Sequence, residues 1–338
     1  MKFSILVPAY NEEHSISTCL NSLCNLTNDS KEIIVIDDAS TDQTPQIVEN
    51  FSGKNVILIK REKNGGRAAA LNSGLEQAKG DIIITTDADT IVPANWLQLF
   101  ATHFQSQDVV AAGGAYQAQN KTNPLVHATS ILDQILNGMF KKSLIPNKLS
   151  GVNSAIRKKA LLDIGGFNED AWWSEDSEAA WKLQRIGKII YDPENIVHTL
   201  YPETWAGIWN RKYYWGYAMG LKFRERLPFN LKLWIRPLLF MTFFISFVAS
   251  FLTAPYDLSL FLIPFLIFLL VFSSLTIFSV PFGTIIMLKN KEPNKVKTLS
   301  ALAVLPLIRE FAYVYGMGFG FLKGKSSAIS PSWKRKTD

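Results

Sequence analysis

Cysteine and histidine are scarce in this sequence, which has two cysteines and four histidines among 338 residues. The cysteines, Cys19 and Cys24, stand farther apart than the Cys-x2-Cys pairs that bind zinc. We therefore expect both to be small buried hydrophobic residues. His198 stands alone at the end of a predicted strand, where a histidine is more often structural than a metal ligand. These residues give little support to a zinc site.

Charged residues are absent from a long stretch between Leu258 and Leu288. The run before it, Leu231 to Ala254, is also strongly apolar, and about 20 such residues suffice to cross a hydrocarbon core. Both runs therefore predict transmembrane helices. We place a membrane region of two to three helices at residues 231–322 and a basic tail at residues 323–338.

The third segment of the membrane region, Leu299 to Leu322, contains Arg309 and Glu310. Charged side chains are costly at the centre of a bilayer. If this segment spanned, the basic tail would end outside, against the tendency of basic residues to stay on the cytoplasmic side. We expect an interfacial or shallowly inserted segment, with a third span as the alternative.

A secretory signal is not expected at the N-terminus, because the apolar run in MKFSILVPAYNEE is short and acidic residues follow it closely. The net charge is +6, and basic residues gather around a linker that we place at residues 221–230. Such residues mark the cytoplasmic side and contact anionic lipid headgroups. The sequence predicts a multi-pass membrane protein whose soluble part, residues 1–220, is cytoplasmic. No recognition motif accompanies the charge, so nucleic acid is not an expected partner.

The soluble part alternates short apolar runs with amphipathic segments. Apolar runs occur at Phe3 to Val7, Glu32 to Asp37, Val56 to Lys60 and Asp81 to Asp87. Helical patterns of about 10 to 15 residues separate strands in βαβ units. The alternation therefore predicts an α/β domain built on a parallel sheet with flanking helices.

Polar residues follow three of these strands, at Pro8 to Glu12, at Asp37-Asp38 and at Asp87-Ala88-Asp89. Ligands of such sheets bind at the carboxyl ends of the strands, and two carboxylates one residue apart can hold a divalent cation against a diphosphate. Asp38 is equally suited to a turn, and Asp89 to the polar entry of a helix. Their occurrence at three strand ends favours a single site.

Two further segments are candidates for the same site. Gly65-Gly66 opens a helix with Arg67 in its first turn, where backbone N–H groups and a cation can meet an anion. A solvated surface loop is the alternative. Ser174-Glu175-Asp176 is typical of a helix N-terminus, but the preceding Trp172-Trp173 also suits a sugar ring that stacks beside a carboxylate.

The soluble part resembles the family 2 glycosyltransferases of GT-A fold. The resemblance covers most of residues 1–200 in the order and spacing of the family. It rests on VPAYNEE at 7–13, VIDDASTD at 35–42, GGRAAALNSG at 65–74, TDADT at 86–90 and WWSEDSEAAWKLQRIG at 172–187. It implies a Rossmann-like mixed sheet flanked by helices and a nucleotide-sugar donor.

The resemblance also implies where the donor binds. Three residues would line the nucleoside pocket, namely Pro8, Tyr10 and Glu12. Asp38 would reach the base, and Arg67 would lie beside the nucleotide or its diphosphate. Glu175 and Trp173 would complete the substrate site.

The chemistry implied by the resemblance is assigned to three carboxylates. Asp87 and Asp89 form a DxD element, in which Asp89 binds Mg²⁺ or Mn²⁺ through the diphosphate and Asp87 contacts the ribose or the metal shell. Asp176 would be the general base that takes the proton of the acceptor hydroxyl as its oxygen attacks C1. Family 2 enzymes invert the anomeric carbon, so one base suffices.

Two departures from the family pattern restrict the substrate. Processive polysaccharide synthases carry a Gln-x-x-Arg-Trp motif, which residues 209–215 do not match, and dolichyl-phosphate mannose synthases often have glutamine where this chain has Ile91. We predict an inverting, metal-assisted glycosyltransferase that transfers a sugar from a UDP- or GDP-sugar to a lipid-linked or membrane-proximal acceptor, with membrane lipids as partners. The alternatives are a polysaccharide synthase of the same fold and a non-catalytic nucleotide-sugar-binding scaffold.

Overall fold

The computed structural model describes residues 1–27, 30–139, 149–171, 174–225 and 295–323. These residues form two compact units, one from those between 1 and 119 and between 149 and 201 and the other from those between 120 and 139 and between 202 and 323. The predicted spans at 231–254 and 258–288, most of the linker at 221–230 and most of the basic tail lie outside the described residues.

The strands and helices alternate over most of the first unit. The strands are β1 (Phe3–Ala9), β2 (Lys31–Asp37), β3 (Val56–Lys60), β4 (Ile82–Thr85), β5 (Thr90–Ile91), β6 (Val109–Ala118), β7 (Ser154–Arg157) and β8 (Lys188–Thr199). The helices are α1 (Ile16–Cys24), α2 (Thr44–Glu49), α3 (Arg67–Gln77), α4 (Trp96–His103), α5 (Pro124–Met139), α6 (Lys158–Asp163), α7 (Glu175–Leu183), α8 (Trp205–Glu225) and α9 (Lys295–Lys323). Of these, α5, α8 and α9 belong to the second unit.

The strands of the first unit form one eight-stranded sheet in the order β3-β2-β1-β4-β7-β6-β8-β5. The four strands from β3 to β4 are parallel. Strand β7 runs antiparallel to both β4 and β6, while β6 and β8 are parallel. The α/β class and the mixed sheet flanked by helices are confirmed, whereas β7 was not predicted.

The core lies on both faces of the sheet. Along β1, Ile5 and Val7 pack into one hydrophobic cluster and Leu6 into the other. Successive side chains of a strand point to opposite faces, so a strand covered on both sides must be apolar throughout. This burial explains why the first strands are continuous apolar runs.

The second unit has an apolar core of its own, in which Leu125, Ile131, Ile208 and Leu305 are buried together. Helix α9 is long and apolar enough from Val296 to Gly320 to cross a membrane, judged by length and composition. It is the one such helix among the described residues.

Candidate functional site

The parallel strands bring the first three candidate segments to one edge of the sheet. Strand β1 lies between β2 and β4, and its register pairs Ala9 with Asp37 and Leu6 with Thr85. Parallel neighbours end at the same edge, so Tyr10, Asp38 and Asp87 each follow a strand at that edge. The edge is the one at which ligands of open α/β sheets bind.

Asp38 is buried and is directed at the loop before α3. Its carboxylate accepts hydrogen bonds from the backbone N–H groups of Gly65 and Gly66, at 3.1 and 2.8 Å, and from the guanidinium of Arg61. Gly66 has a φ of +84°, a conformation that glycine adopts without strain. Asp38 therefore fixes the loop that leads into Arg67.

The loop after β1 is tied to the loop after β2. The Glu12 N–H donates to Thr44 Oγ1 at 2.7 Å, and Asn11 Oδ1 accepts the Thr41 N–H at 2.8 Å. Pro8, Tyr10 and Glu12 are all partly exposed. These three residues, predicted to line a nucleoside pocket, therefore lie together at the edge beside Asp38.

Arg67 joins segments that are far apart in the chain. Its Nε donates to Asp87 Oδ1 at 3.1 Å, its Nη1 to Glu175 Oε1 at 2.6 Å, and its Nη2 to the carbonyl of Gly151 at 2.7 Å. A Cβ added to Gly151 would lie 2.7 Å from the guanidinium. A side chain at position 151 would therefore displace the guanidinium of Arg67 from this position.

The charges around Arg67 alter the pKa values of Arg67 and Glu175. Burial alone would lower the pKa of Arg67, but the carboxylates of Asp87, Glu175 and Asp176 outweigh it and raise that pKa. The guanidinium therefore stays charged. Burial raises the pKa of Glu175, and Asp176 adds to this effect, against the opposite pull of Arg67.

Asp176 lies in the first turn of α7 and is held next to Gly151. Its Oδ2 accepts the Gly151 N–H at 2.9 Å, and its Oδ1 accepts the Ser177 N–H at 2.6 Å. Gly151 thus contacts Asp176 through its N–H and Arg67 through its carbonyl. Trp173, the predicted sugar-stacking residue, lies outside the described residues.

Asp87 and Asp89 are partly exposed, and both carboxylates accept hydrogen bonds. Asp87 Oδ1 accepts from Arg67, while Asp89 Oδ1 accepts from the hydroxyl of Thr199 at 3.0 Å. Carboxylate oxygens combined with substrate phosphates are the ligands that Mg²⁺ prefers. The two carboxylates are therefore of the type that Mg²⁺ or Mn²⁺ would bind together with the phosphates of a donor.

No group of three or more His, Cys, Asp and Glu side chains suited to a metal ion occurs in the part of the chain that the structure describes. His198 pairs with Ile91 where β8 meets β5, and it does not join Asp87 and Asp89 in such a group. A protein-only cation site is therefore not formed by these residues.

Two residues of the site were missed from sequence. Gly151 links Arg67 to Asp176, and Thr199 orients Asp89. Gly151 stands in a noticeable stretch of small residues, Ser150 to Ala155, but Thr199 follows His198 at the end of β8 without any motif. Gly151 is 84 residues from Arg67 in the chain, and Thr199 is 110 residues from Asp89.

Comparison with known proteins finds a family model that matches part of this chain. The model of glycosyl transferase family 2 matches residues 4–165. Poly-beta-1,6-N-acetyl-D-glucosamine synthases of Staphylococcus aureus strain COL and of Staphylococcus epidermidis are 32% and 31% identical over 219 residues. That alignment covers 63% of this chain and 53% of each synthase, so the chain spans about half the length of these relatives.

Two solved structures share the fold. A mannosyltransferase, PcManGT from Pyrobaculum calidifontis in complex with GDP-Man and Mn²⁺, is 18% identical with a TM-score of 0.59, covering 96% of this chain and 88% of that chain. S. aureus TarS 1-349 is 19% identical with a TM-score of 0.50, covering 96% of this chain and 92% of that chain. Residues 4–165 of this chain therefore match the glycosyl transferase family 2 domain.

Proposed function

We propose that this protein is an inverting glycosyltransferase that moves a sugar from a nucleotide-sugar donor to a lipid-linked or membrane-proximal acceptor. The observation that carries the proposal is the set of bonds from Arg67 to Asp87, Glu175 and Gly151. Through Gly151 this network also reaches Asp176. The network therefore joins Asp87, one of the two proposed cation ligands, to Asp176, the proposed base.

The donor occupies the sheet edge in this proposal. Pro8, Tyr10 and Glu12 line the nucleoside pocket, and Asp38 reaches the base or supports the loop that faces it. Both UDP- and GDP-sugars suit the proposal. N-Acetylglucosamine and mannose are the first sugars to test, because the curated relatives are N-acetylglucosamine polymer synthases and one structural neighbour was solved with GDP-Man.

Asp87 and Asp89 hold Mg²⁺ or Mn²⁺ together with the donor diphosphate. Bound there, the cation offsets the negative charge that grows on the departing nucleoside diphosphate. Thr199 keeps Asp89 in place for this role, and Arg67 restrains Asp87. Glu175, which is buried against Arg67, supports the site through that arginine.

Asp176 is the general base. Its carboxylate takes the proton of the acceptor hydroxyl while the acceptor oxygen forms a bond to C1 of the sugar. The bond from C1 to the diphosphate oxygen breaks, and the nucleoside diphosphate leaves with that electron pair. The attack comes from the face opposite the leaving group, so the anomeric configuration is inverted.

The membrane supplies the acceptor in this proposal. The predicted spans at 231–254 and 258–288 make the chain a multi-pass protein with the family domain in the cytoplasm. An acceptor that lies in the bilayer then reaches the domain without dissolving in water.

A polysaccharide synthase is the second candidate, and the synthases that are 32% identical favour it. The two functions differ in product length when donor is in large excess over acceptor. A single added sugar supports the simple transferase, whereas a ladder of products supports the polymerase. Mass spectrometry of the extracted acceptor separates these outcomes.

The decisive experiment compares Asp176→Asn with Asp163→Asn, an exposed aspartate at the end of α6. Asparagine has one acceptor oxygen, so it can keep the hydrogen bond from Gly151 or the one from Ser177 but not both. It cannot take a proton, so transfer should fall by roughly 10²- to 10⁴-fold. Asp163→Asn should transfer at the wild-type rate. Near wild-type transfer by Asp176→Asn would remove the base assignment, and a wild-type chain that binds the donor without transferring sugar would support the non-catalytic scaffold.

A further inference from the structure

The second unit contains a pocket whose charged residues are mostly basic. It lies between α5, α8 and α9 and is lined by Thr129, Asp133, Pro202, Ile208, Arg211, Lys212, Trp215 and Arg309. Three of these residues are basic and one is acidic. The glycosyl-transfer proposal uses none of them.

Arg309 is the most deeply buried cation of this pocket. Its side chain is 8% exposed, and its Nη2 donates to Asp133 Oδ1 at 2.7 Å. Its Nη1 is buried and has no hydrogen-bond partner among the described residues. Leaving a buried charged donor unsatisfied is costly, so the pocket has the capacity for a further acceptor.

The remaining cations increase this demand for an acceptor. The Nζ of Lys212 lies 4.0 Å from the centroid of the Trp215 ring, and the Cζ of Arg211 lies 5.4 Å from the same centroid. Burial holds the pKa of Lys212 well below its ordinary value, and Arg309 and Arg211 add to this, against Asp133 and Glu310. Two carboxylates, Asp133 and Glu310, therefore stand against three basic side chains.

We propose that this pocket is a binding site for a phosphate group. A phosphate oxygen accepts from Nη1 of Arg309, and the anion is attracted by Arg211 and Lys212. Arginine suits this role because its planar fork can bond Asp133 and a phosphate at once. The phosphate belongs to a membrane lipid headgroup or to a soluble phosphate, and the site is independent of the reaction proposed for the first unit.

The test measures binding of the purified full-length chain to vesicles of phosphatidylcholine with and without phosphatidic acid, by co-sedimentation. Excess chelator prevents metal-assisted phosphate binding at Asp87 and Asp89. Arg211→Gln should weaken the preference for phosphatidic acid by roughly fivefold, because it removes a cation that lines the pocket of the bound phosphate. Lys297→Gln, an exposed residue of α9 outside the pocket, removes the same charge and should leave the preference within about twofold of wild type.

A second variant separates a specific site from diffuse attraction. Arg309→Gln combined with Asp133→Asn leaves the net charge unchanged and avoids an unpaired buried carboxylate. It should lose the preference for phosphatidic acid, and wild-type binding by this variant would overturn the proposal. An equal effect of Arg211→Gln and Lys297→Gln would also overturn it.

The source of the phosphate is identified by calorimetry with sodium orthophosphate in detergent. Binding that is lost in Arg309→Gln/Asp133→Asn assigns the site to soluble phosphate, whereas vesicle binding without orthophosphate binding assigns it to a lipid headgroup. If neither probe shows binding that depends on this pair, the site does not exist.

Discussion

At the scale of single residues, Arg67 is the side chain on which the candidate site depends most. It bonds three acceptors in three directions, and one of them, Glu175, is buried with an 8% exposed side chain. Lysine has no planar fork and cannot reproduce the three bonds. The identity of this residue, and not its charge alone, should therefore matter.

Arg67→Met should lower the stability of the first unit by about 3 kcal/mol, because removing one member of a buried ion pair leaves the other charge uncompensated. Adding Glu175→Gln should recover part of that loss. The midpoint of urea unfolding, followed by near-ultraviolet circular dichroism, measures both variants. Arg185→Met, an exposed residue of the turn after α7, is the matched control and should unfold near the wild-type midpoint.

Glu175 should also give the stability a recognisable pH dependence. Its pKa is raised in the folded protein above the ordinary value of 4.5, so the folded state binds the proton more tightly than the unfolded state does. The resulting stabilisation is fully present below pH 4.5 and is lost as the pH rises through the folded pKa. Thermal midpoints are recorded from pH 4.5 upward through the folded pKa of Glu175. In Glu175→Gln, the fall of the midpoint over this pH range should be absent. An identical pH profile for wild type and variant would contradict the assignment.

At the scale of helices and strands, the alternation of apolar runs was sufficient to predict the parallel half of the sheet. Strand β7 was missed because its four residues, Ser154–Arg157, stand in a stretch of small and basic residues without period-two alternation. Sequence also placed Asp87 and Asp176 in candidate motifs. It could not predict the bond between Arg67 and Glu175, because the two residues are 108 positions apart and folding alone decides that they meet.

The pairing of α8 with α9 depends on glycines at the contact. A Cβ on Gly316 would collide with the backbone carbonyl of Tyr213, and a Cβ on Gly216 with that of Tyr313. Gly318 lies on the same helix, and a Cβ there would meet nothing within 4 Å. The two helices therefore approach closely on one face of α9 and not on another.

Gly316→Ala and Gly318→Ala should consequently have opposite effects. Alanine at 316 forces α8 and α9 apart and should lower the thermal midpoint of the full-length chain in detergent. Alanine at 318 should leave it unchanged or raise it, because alanine favours helix over glycine by about 1 kcal/mol. Equal changes in the two variants would show that the helices do not pack in this way.

At the scale of the whole molecule, the position of α9 relative to the bilayer decides the topology. Arg309 lies within the stretch that is long enough to span, and it bonds Asp133 of α5. If α9 crossed the bilayer with Arg309 near its centre, the charges of α5 and α8 that surround Arg309 would lie at the same depth. Several charges at that depth would be very costly, so an interfacial position for α9 is favoured.

This topology predicts that both ends of α9 lie on the cytoplasmic side. In a background of Cys19→Ser and Cys24→Ser, Val296→Cys and Arg335→Cys should react with a membrane-impermeant maleimide only after the cells are permeabilised. Val296 is 77% exposed, so a cysteine there is accessible to the reagent. Lys63→Cys in the first unit, which the proposed topology places in the cytoplasm, serves as the reference. Labelling of Arg335→Cys in intact cells, with Val296→Cys still protected, would show instead that α9 spans the membrane and that its charged pocket is embedded in it.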